Sequence, residues 1–274
     1  MPSEPVPPEP VPPEPVPLTV LVLGGTSEAR ALAAELDGRP GLRVISSLAG
    51  RVSRPARPAG EVRVGGFGGA DGLAAWARAE GVGAVVDATH PFAQTISANA
   101  ADACARAGLP LLRLARPAWA ARAGDDWRPA GSLEAAAALL PGLGSRVFLT
   151  TGRQGLAAFA PLDELWFLIR CVDPPSGPMP ARREVLLARG PYAREAERAL
   201  MQRFGVDVLV TKNSGGPLTE GKLDAARDLG LPVVMVARPH AVPGVTSVAD
   251  VGHAVRWVLE QPPGLALPAK SADE

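Results

Sequence analysis

Short apolar runs rich in β-branched residues alternate with longer segments rich in Ala and Leu from residue 18 onward. The apolar runs predict strands at residues 19–23, 43–47, 61–64, 84–88 and 111–115. The longer segments predict helices at residues 27–36, 72–80 and 93–107. Strands and helices that alternate in this way favour a parallel sheet with helices on both faces.

A second series of the same kind follows a break in the pattern. Residues 116–131 combine Pro, Gly and charged residues, which predicts a crossover between two lobes. Beyond it we predict strands at residues 146–150, 165–172, 184–187, 207–210 and 233–237, and helices at residues 133–139, 192–204, 220–229 and 248–260. The expected fold is α/β, with two Rossmann-like lobes, parallel sheets and a cleft between them. The lobes are expected at residues 18–120 and 130–261.

The two ends of the chain lack this alternation. Residues 1–17 repeat Glu, Pro and Val in a pattern typical of extended polyproline II. This composition predicts a disordered, Pro-rich tail, and a PxxP-type ligand for another protein is the alternative. Residues 262–274 are also expected to form a tail.

Composition narrows the class of protein. The 28 basic and 28 acidic residues balance, so the net charge gives no reason to expect nucleic acid or an anionic membrane as a partner. Cys104 and Cys171 belong to no metal-binding pattern and fit buried thiols in a reducing compartment. No apolar stretch is long enough for a membrane span, and no secretory signal is recognisable. We expect a cytoplasmic protein without a metal site, as a monomer or weak dimer.

The first strand runs into a turn of glycines and hydroxyl residues. Gly24 and Gly25 can adopt positive φ and let a ligand approach the backbone. Thr26 and Ser27 suit the N-cap of the following helix. Because a helix N-terminus attracts anions, this turn predicts a cradle for the pyrophosphate of a dinucleotide. The spacing is not G-x-G-x-x-G, and an ordinary strand–helix turn is the alternative.

The second strand ends in hydroxyl residues and an arginine: Ser46, Ser47 and Arg51. A domain that binds NAD carries an acidic residue here for the ribose hydroxyls. Hydroxyls and a cation instead suit a 2′-phosphate, which favours NADPH as the cofactor. A polar loop with a solvated Arg51 is the alternative.

The fourth strand runs into His90, which precedes a proline. The proline restricts the backbone, so the imidazole is presented at the carboxyl end of the strand. His90 is therefore a candidate to orient a substrate carboxylate or to relay a proton. A structural hydrogen bond is the alternative role.

Basic and hydroxyl-bearing residues also follow the strands of the second series. They predict a surface that faces the first lobe and binds a substrate with several carboxylates, although ordinary turn chemistry would also place such residues here. The candidates are Thr151, Arg153, Arg189, Tyr192, Lys212, Asn213 and Ser214.

Three common enzyme motifs are missing from the sequence. A short-chain dehydrogenase needs Tyr-x-x-x-Lys, but Ala196 lies four residues after Tyr192. The P-loop pattern fails at Leu223, which follows Gly-Lys. The G-x-S-x-G elbow of serine hydrolases is also absent.

An ordered set of strings resembles the precorrin-6A reductase (CobK/CbiJ) family of cobalamin biosynthesis. The strings are LVLGGTSEAR (21–30), SLAGR (47–51), VGGFGGADGL (64–73), VVDATHPFA (85–93), VFLTTGRQGL (147–156), LLARGPY (186–192) and VLVTKNSGG (208–216). The resemblance covers residues 18 to about 260, and the specificity lies in the ordered set.

The resemblance implies an oxidoreductase that acts on a carbon–carbon double bond. NADPH would donate a hydride to a tetrapyrrole-derived macrocycle carrying acetate and propionate groups, with or without cobalt, to give precorrin-6B. His90, Tyr192, Lys212 and water all stay open as the proton donor. Another NADP-dependent enzyme of the same fold and a nucleotide-sensing module are the alternatives.

Overall fold

The structure, a computed structural model, describes residues 16–50 and 56–263. Within these ranges the chain forms two six-stranded sheets, and every strand pair in both sheets is parallel. This arrangement confirms the predicted α/β class with two parallel sheets. The predicted tails lie almost entirely outside the described residues, as does Arg51.

The first sheet has the strand order of a doubly wound fold, with five consecutive strands and a sixth from the far end of the chain. In spatial order its strands are β12 (Thr246–Val248), β5 (Leu111–Leu114), β4 (Val82–Asp87), β1 (Leu18–Leu23), β2 (Leu42–Leu48) and β3 (Glu61–Val64). We call this sheet and its helices the first lobe.

The second sheet repeats the pattern, with a sixth strand that precedes the other five in sequence. Its spatial order is β6 (Asp126–Ala130), β11 (Pro232–Val236), β10 (Val208–Lys212), β7 (Arg146–Leu149), β8 (Trp166–Cys171) and β9 (Arg183–Leu187). We call this sheet and its helices the second lobe.

Helices cover both faces of each sheet. The first lobe carries α1 (Ser27–Leu36), α2 (Ala70–Ala79), α3 (Gln94–Ala107) and α7 (Val251–Leu259), and the second carries α4 (Leu133–Leu139), α5 (Arg194–Arg203) and α6 (Gly221–Asp228). Short 3-10 turns occupy Leu140–Gly142, Leu156–Phe159 and Pro217–Thr219. No helix within the described ranges is long and apolar enough to cross a membrane.

The strands are apolar because both faces of each sheet are buried. Every residue of β1 is buried, and its side chains alternate between two separate clusters. Val20 and Val22 pack with α1 and α7, whereas Leu21 and Leu23 pack with α2 and α3. Burial on both faces explains why this strand reads as a continuous apolar run.

Two strands depart from the sequence-based prediction. Residues 126–130 were expected within the crossover, but they form β6 at the edge of the second sheet. Residues 246–248 were expected as loop and helix, but they form β12, which pairs with β5 of the first sheet. Because α7 packs on α1, the end of the predicted second lobe lies on the first lobe.

Two crossover segments therefore join the lobes. The first runs from β5 to β6 over residues 115–125, and the second runs from β11 to β12 over residues 237–245. The second lobe is thus one continuous stretch from β6 to β11, whereas the first lobe is completed by β12 and α7 after the second crossover.

Candidate active site

The two sheets each contain a switch point, where the strand order reverses. In the first sheet it lies between β1 and β4, and in the second between β7 and β10. Ligands of open α/β sheets bind outside the carboxyl ends of the strands at such points. The turn at Gly24, the loop that carries His90, and Lys212 all lie at these ends.

The glycine turn is held in place from three sides. The Gly24 amide donates to the Ser47 carbonyl oxygen at 2.9 Å. The Thr26 hydroxyl accepts from the Ala29 amide at 3.1 Å, as the N-cap of α1, and donates to the Ala88 carbonyl oxygen at 2.7 Å. Thr26 thereby fixes the start of α1 against the loop that follows β4.

Gly25 provides the open side of this turn. Its φ is +112° and no described atom lies within 4 Å of the position that a Cβ would take. A side chain there would be strained and would fill the space in front of the helix N-terminus. The backbone thus fits the close approach of a phosphate group.

Glu28, in the first turn of α1, was not considered in the sequence-based prediction. Its carboxylate accepts from Arg116 Nη1 at 2.7 Å and from the Ser27 hydroxyl at 3.0 Å. Burial raises the pKa of Glu28, but its own backbone amide and Arg116 outweigh burial and hold the pKa below its usual value. Arg116 therefore neutralises an acid that would otherwise oppose an anion at this helix end.

The two serines at the end of β2 lie below the surface. Ser46 is 2% exposed and its hydroxyl has no hydrogen-bond partner among the described residues. The Ser47 hydroxyl accepts from Arg63 Nη1 at 3.3 Å. The predicted contact of Ser46, Ser47 and Arg51 with a 2′-phosphate stays a prediction, since Arg51 lies outside the described residues.

Arg63 organises the glycine-rich segment that follows β3. It donates to the carbonyl oxygens of Gly65 at 2.6 Å and Gly66 at 2.7 Å, and its guanidinium stacks 3.7 Å from the Phe67 ring centroid. Periodicity gives no signal for such a role, because the contacts are made by backbone carbonyls two and three residues away.

The loop after β4 is anchored by a buried ion pair. Asp87 binds Arg113 Nη1 at 2.5 Å and accepts from the amide and hydroxyl of Thr89 at 3.1 and 2.7 Å. Arg113 also donates to the hydroxyl and carbonyl of Thr89. These bonds fix the backbone immediately before His90.

His90 is neutral over the physiological pH range. Burial lowers its pKa from 6.5 to about 4, and four neighbouring cations act in the same direction: Arg116, Lys212, Arg238 and Arg113. Its Nδ1 accepts from the Phe92 amide at 3.2 Å. The proton of the neutral ring therefore belongs on Nε2, which can donate to a ligand.

Lys212, at the carboxyl end of β10, meets this loop from the second lobe. Its Nζ lies 5.4 Å from the centroid of the Phe92 ring, and Phe92 packs on the core of the second lobe. Burial lowers the pKa of Lys212, and no described carboxylate lies within ion-pair distance. The structure thus brings the predicted residues His90 and Lys212 together at the junction of the lobes.

Asn213 and Ser214, two of the predicted substrate residues, form side-chain hydrogen bonds to the protein backbone. The Asn213 side chain accepts from the Trp119 amide at 2.8 Å and donates to the Trp119 carbonyl at 3.0 Å. The Ser214 hydroxyl donates to the Lys212 carbonyl at 3.3 Å. Thr151 differs, because its buried hydroxyl has no partner among the described residues. The side chains of Asn213 and Ser214 thus bind backbone groups, whereas the Thr151 hydroxyl is enclosed without a partner among the described residues.

The remaining candidates occupy the same edge of the second sheet. The Tyr192 hydroxyl donates to the Ala188 carbonyl at 2.9 Å, and Arg170 stacks 3.7 Å from its ring centroid. Burial raises the pKa of Tyr192. Arg153 lies 3.9 Å from Asp173, and Arg189 lies two residues beyond the end of β9. The aromatic hydroxyl is engaged and weakly acidic, which disfavours Tyr192 as an acid.

The same region offers no cluster of metal ligands among the described residues. Within the part of the chain that the structure describes, no three His, Cys, Asp or Glu residues are grouped closely enough to hold an ion. The charged groups at the junction are instead mostly cations, which suits an anionic ligand.

Comparison with known proteins gives consistent matches. The family described as "Precorrin-6x reductase CbiJ/CobK" matches residues 19–259. A precorrin-6A reductase from Rhodococcus erythropolis is 59% identical over 239 residues, which is 87% of this chain and 96% of the relative. A precorrin-6A reductase from Mycobacterium tuberculosis is 53% identical over 244 residues, which is 89% of this chain and 98% of the relative.

A solved structure shares the fold as well as the sequence. It is described as CobK precorrin-6A reductase and superposes with a TM-score of 0.84 at 41% identity. The match covers 90% of this chain and 98% of the solved chain. The family match at residues 19–259 likewise spans both lobes, including β12 and α7.

Proposed function

The chain belongs to the precorrin-6x reductase family CbiJ/CobK, and we propose that it uses NADPH to reduce a macrocycle double bond of precorrin-6A, or of its cobalt form, to give precorrin-6B. It is an oxidoreductase of cobalamin biosynthesis that acts on a carbon–carbon bond. One observation supports the assignment of the site: His90 of the first lobe and Lys212 of the second both lie against the Phe92 ring, at the carboxyl ends of β4 and β10.

The first lobe fits the cofactor. Gly24, Gly25, Thr26 and Ser27 would hold the pyrophosphate at the start of α1, because Gly25 leaves the approach open and Thr26 fixes the helix end. NADPH supplies the hydride when it is bound. The chain contributes by holding the two lobes so that a flat substrate faces the cofactor, since hydride transfer depends chiefly on such positioning.

The second lobe is proposed to hold the substrate carboxylates. Lys212, Arg153 and Arg189 lie at the carboxyl edge of the second sheet, with Thr151 beside them. Neutral His90 can donate from Nε2 to a substrate oxygen. Lys212 is the proton donor that we favour, because burial lowers the pKa of its ammonium and makes it a better acid.

The direct test is turnover by the purified protein. With precorrin-6A, in the metal-free or the cobalt form, we expect NADPH oxidation that matches product formation mole for mole. Binding of NADPH without turnover of either substrate would instead indicate a nucleotide-sensing module. No oxidation with either form would refute the proposal.

Cofactor choice has a separate test at Arg51. We expect Arg51→Ala to weaken NADPH binding on the order of tenfold or more and to leave NADH binding nearly unchanged, because a charge-assisted bond to the 2′-phosphate is lost. Titration of both nucleotides by fluorescence measures this difference. The exposed Arg57 offers a matched control, Arg57→Ala. Equal losses for both nucleotides would remove Arg51 from the 2′-phosphate site.

A further inference from the structure

One arginine of the second crossover joins three segments of backbone. Arg238 Nε donates to the Asn213 carbonyl at 2.7 Å, and Nη1 donates to the Arg116 carbonyl at 2.8 Å. Nη2 donates to the carbonyls of Pro117 at 3.0 Å and Ser214 at 2.9 Å. We call Arg238 with these four carbonyl groups the arginine clasp. It ties the second crossover to the first and to the loop after β10.

The first crossover is also packed directly on the loop after β10. Arg116 Nε donates to the Ser214 carbonyl at 2.9 Å. Gly215 and Gly216 have positive φ, and a Cβ on Gly215 would lie 2.0 Å from the Pro117 carbonyl oxygen. The two backbones therefore approach so closely that only glycine fits at Gly215. Such packing leaves the two segments little freedom to slide past each other.

The same assembly reaches both halves of the candidate active site. Lys212 precedes the two clasped carbonyls of Asn213 and Ser214 in the chain. Arg116, whose carbonyl is clasped, also forms the 2.7 Å ion pair with Glu28 at the start of α1. Displacement of either crossover would therefore move Lys212 relative to the glycine turn.

We infer that Arg238 is a positioning residue whose clasp sets the angle between the two lobes. The hydrogen bonds of Arg238 support this positioning role without reference to any reaction. Its catalytic consequence rests on the proposed function: the clasp holds the carboxylate-binding residues of the second lobe at a fixed distance from the cofactor cradle of the first. All three guanidinium nitrogens of Arg238 are engaged by backbone carbonyls, so we assign it no direct part in binding or chemistry.

A simpler alternative is that Arg238 acts only by its charge. It is one of the cations that lower the pKa of His90, and no described carboxylate forms an ion pair with it. Arg238→Lys separates the two roles. Lysine keeps the positive charge, but a single ammonium cannot replace a planar guanidinium that donates to four carbonyls.

The test measures distances between the lobes without any ligand. Spin labels are attached to cysteines introduced at two exposed helix positions, Ala34 in α1 and Ala196 in α5. The native Cys104 and Cys171 are buried and stay unlabelled. We expect one narrow distance distribution for the labelled parent, and clearly broader distributions for Arg238→Lys and Arg238→Ala. Arg256→Ala removes an exposed arginine of α7 and should leave the distribution narrow.

Kinetics of the same variants test the catalytic consequence. We expect both Arg238 variants to slow hydride transfer on the order of 100-fold, since small misplacements of reacting groups carry costs of this size, while the Kd for NADPH changes by less than about twofold. A lower kcat with an increased deuterium isotope effect from labelled NADPH would show that the hydride step is affected.

The possible outcomes decide between the two roles. A narrow distribution for Arg238→Lys would overturn the clasp, whatever its activity, and normal turnover by a variant with a broad distribution would overturn the catalytic consequence. If Arg238→Ala does not fold, Arg238→Lys carries the test alone. Failure of the parent to reduce precorrin-6A would count against the proposed function only, because the distances are measured without substrate.

Discussion

The acid–base chemistry of His90 is strongly changed by its surroundings. Its folded pKa, about 4, lies below the ordinary value of 6.5, because burial and four cations disfavour the imidazolium. Between these values the unfolded chain takes up a proton that the folded protein does not. The free energy of unfolding therefore falls as the pH drops from 6.5 towards 4, and it is insensitive to His90 above 6.5.

His90→Gln is expected to remove this pH dependence. Denaturant unfolding at about pH 7 and about pH 4.5 measures how much free energy of unfolding each protein loses on acidification. The variant should lose about 2–3 kcal/mol less than the parent protein. His240 is exposed, so His240→Gln serves as the control and should behave as the parent does. If His90→Gln and the parent lose the same free energy of unfolding on acidification, His90 can be protonated in the folded state.

Lys212→Ala should raise the KM for the macrocycle about tenfold to 100-fold, because a charge-assisted bond to a carboxylate is lost. The Kd for NADPH should stay unchanged, since the cofactor is assigned to the other lobe. Lys212→Arg retains the charge and should recover most of the affinity. An unchanged KM in Lys212→Ala, measured by initial rates, would remove Lys212 from the substrate site.

Sequence alone predicted the residues that follow strands, and it missed the arginines that hold those residues. His90 and Lys212 stand at strand ends, which periodicity can locate. Arg116 and Arg238 lie in the crossovers, and their partners Ser214 and Glu28 are distant in sequence. Only the path of the backbone reveals such contacts, and arginines are too common in this chain to single out two.

At the scale of elements, one hydroxyl, that of Thr26, makes two hydrogen bonds at the start of α1. Thr26→Ala removes both the N-cap bond to Ala29 and the buried bond to the Ala88 carbonyl. We expect a loss of about 2 kcal/mol in the free energy of unfolding, since a cap contributes about 1 kcal/mol and a buried carbonyl is left unpaired. Thr26→Ser keeps the hydroxyl and should cost less than half as much.

A second cap provides the comparison for Thr26. Ser132 caps α4 through an exposed bond from the Ala135 amide, so Ser132→Ala should cost about 1 kcal/mol or less. Urea denaturation of the three variants gives the ranking. Equal losses for Thr26→Ala and Ser132→Ala would mean that the bond to Ala88 adds nothing to stability.

The interior strands were predictable because burial on both faces makes them continuously apolar, whereas two of the four edge strands, β6 and β12, were missed. β6 reads DWRPA, with only Ala130 buried, and β12 contains three residues, none of them buried. A proline is tolerated in β6 because an edge strand leaves one side unpaired. β6 and β12 are short and polar, as suits an exposed sheet edge. A hydrophobicity pattern therefore does not detect them.

At the scale of the whole molecule, packing joins segments that lie far apart in the sequence, such as α1 and α7. Val258 of α7 is fully buried in the cluster that α1 shares, so Val258→Ala should destabilise the first lobe by about 2 kcal/mol, although it lies near the end of the described chain. Hydrogen exchange should then show faster exchange in α1 and β5, with β7 and β8 unchanged.

The reverse pattern is expected for a matched valine of the second lobe. Val147 in β7 is also fully buried, and Val147→Ala should increase exchange in β7 and β8 while leaving α1 protected. Faster exchange in the second lobe of Val258→Ala would contradict the assignment of α7 to the first lobe.

The late position of β12 in the chain also governs the order in which the protein can be completed during synthesis. β5 ends at Leu114, but its partner β12 begins at Thr246, so the first sheet keeps an open edge until nearly all of the described chain has left the ribosome. β6 likewise emerges before its partner β11. Pairings of such wide sequence separation form slowly, and open strand edges invite association with other chains. The nascent protein is therefore most prone to aggregate just before its last strand and helix emerge.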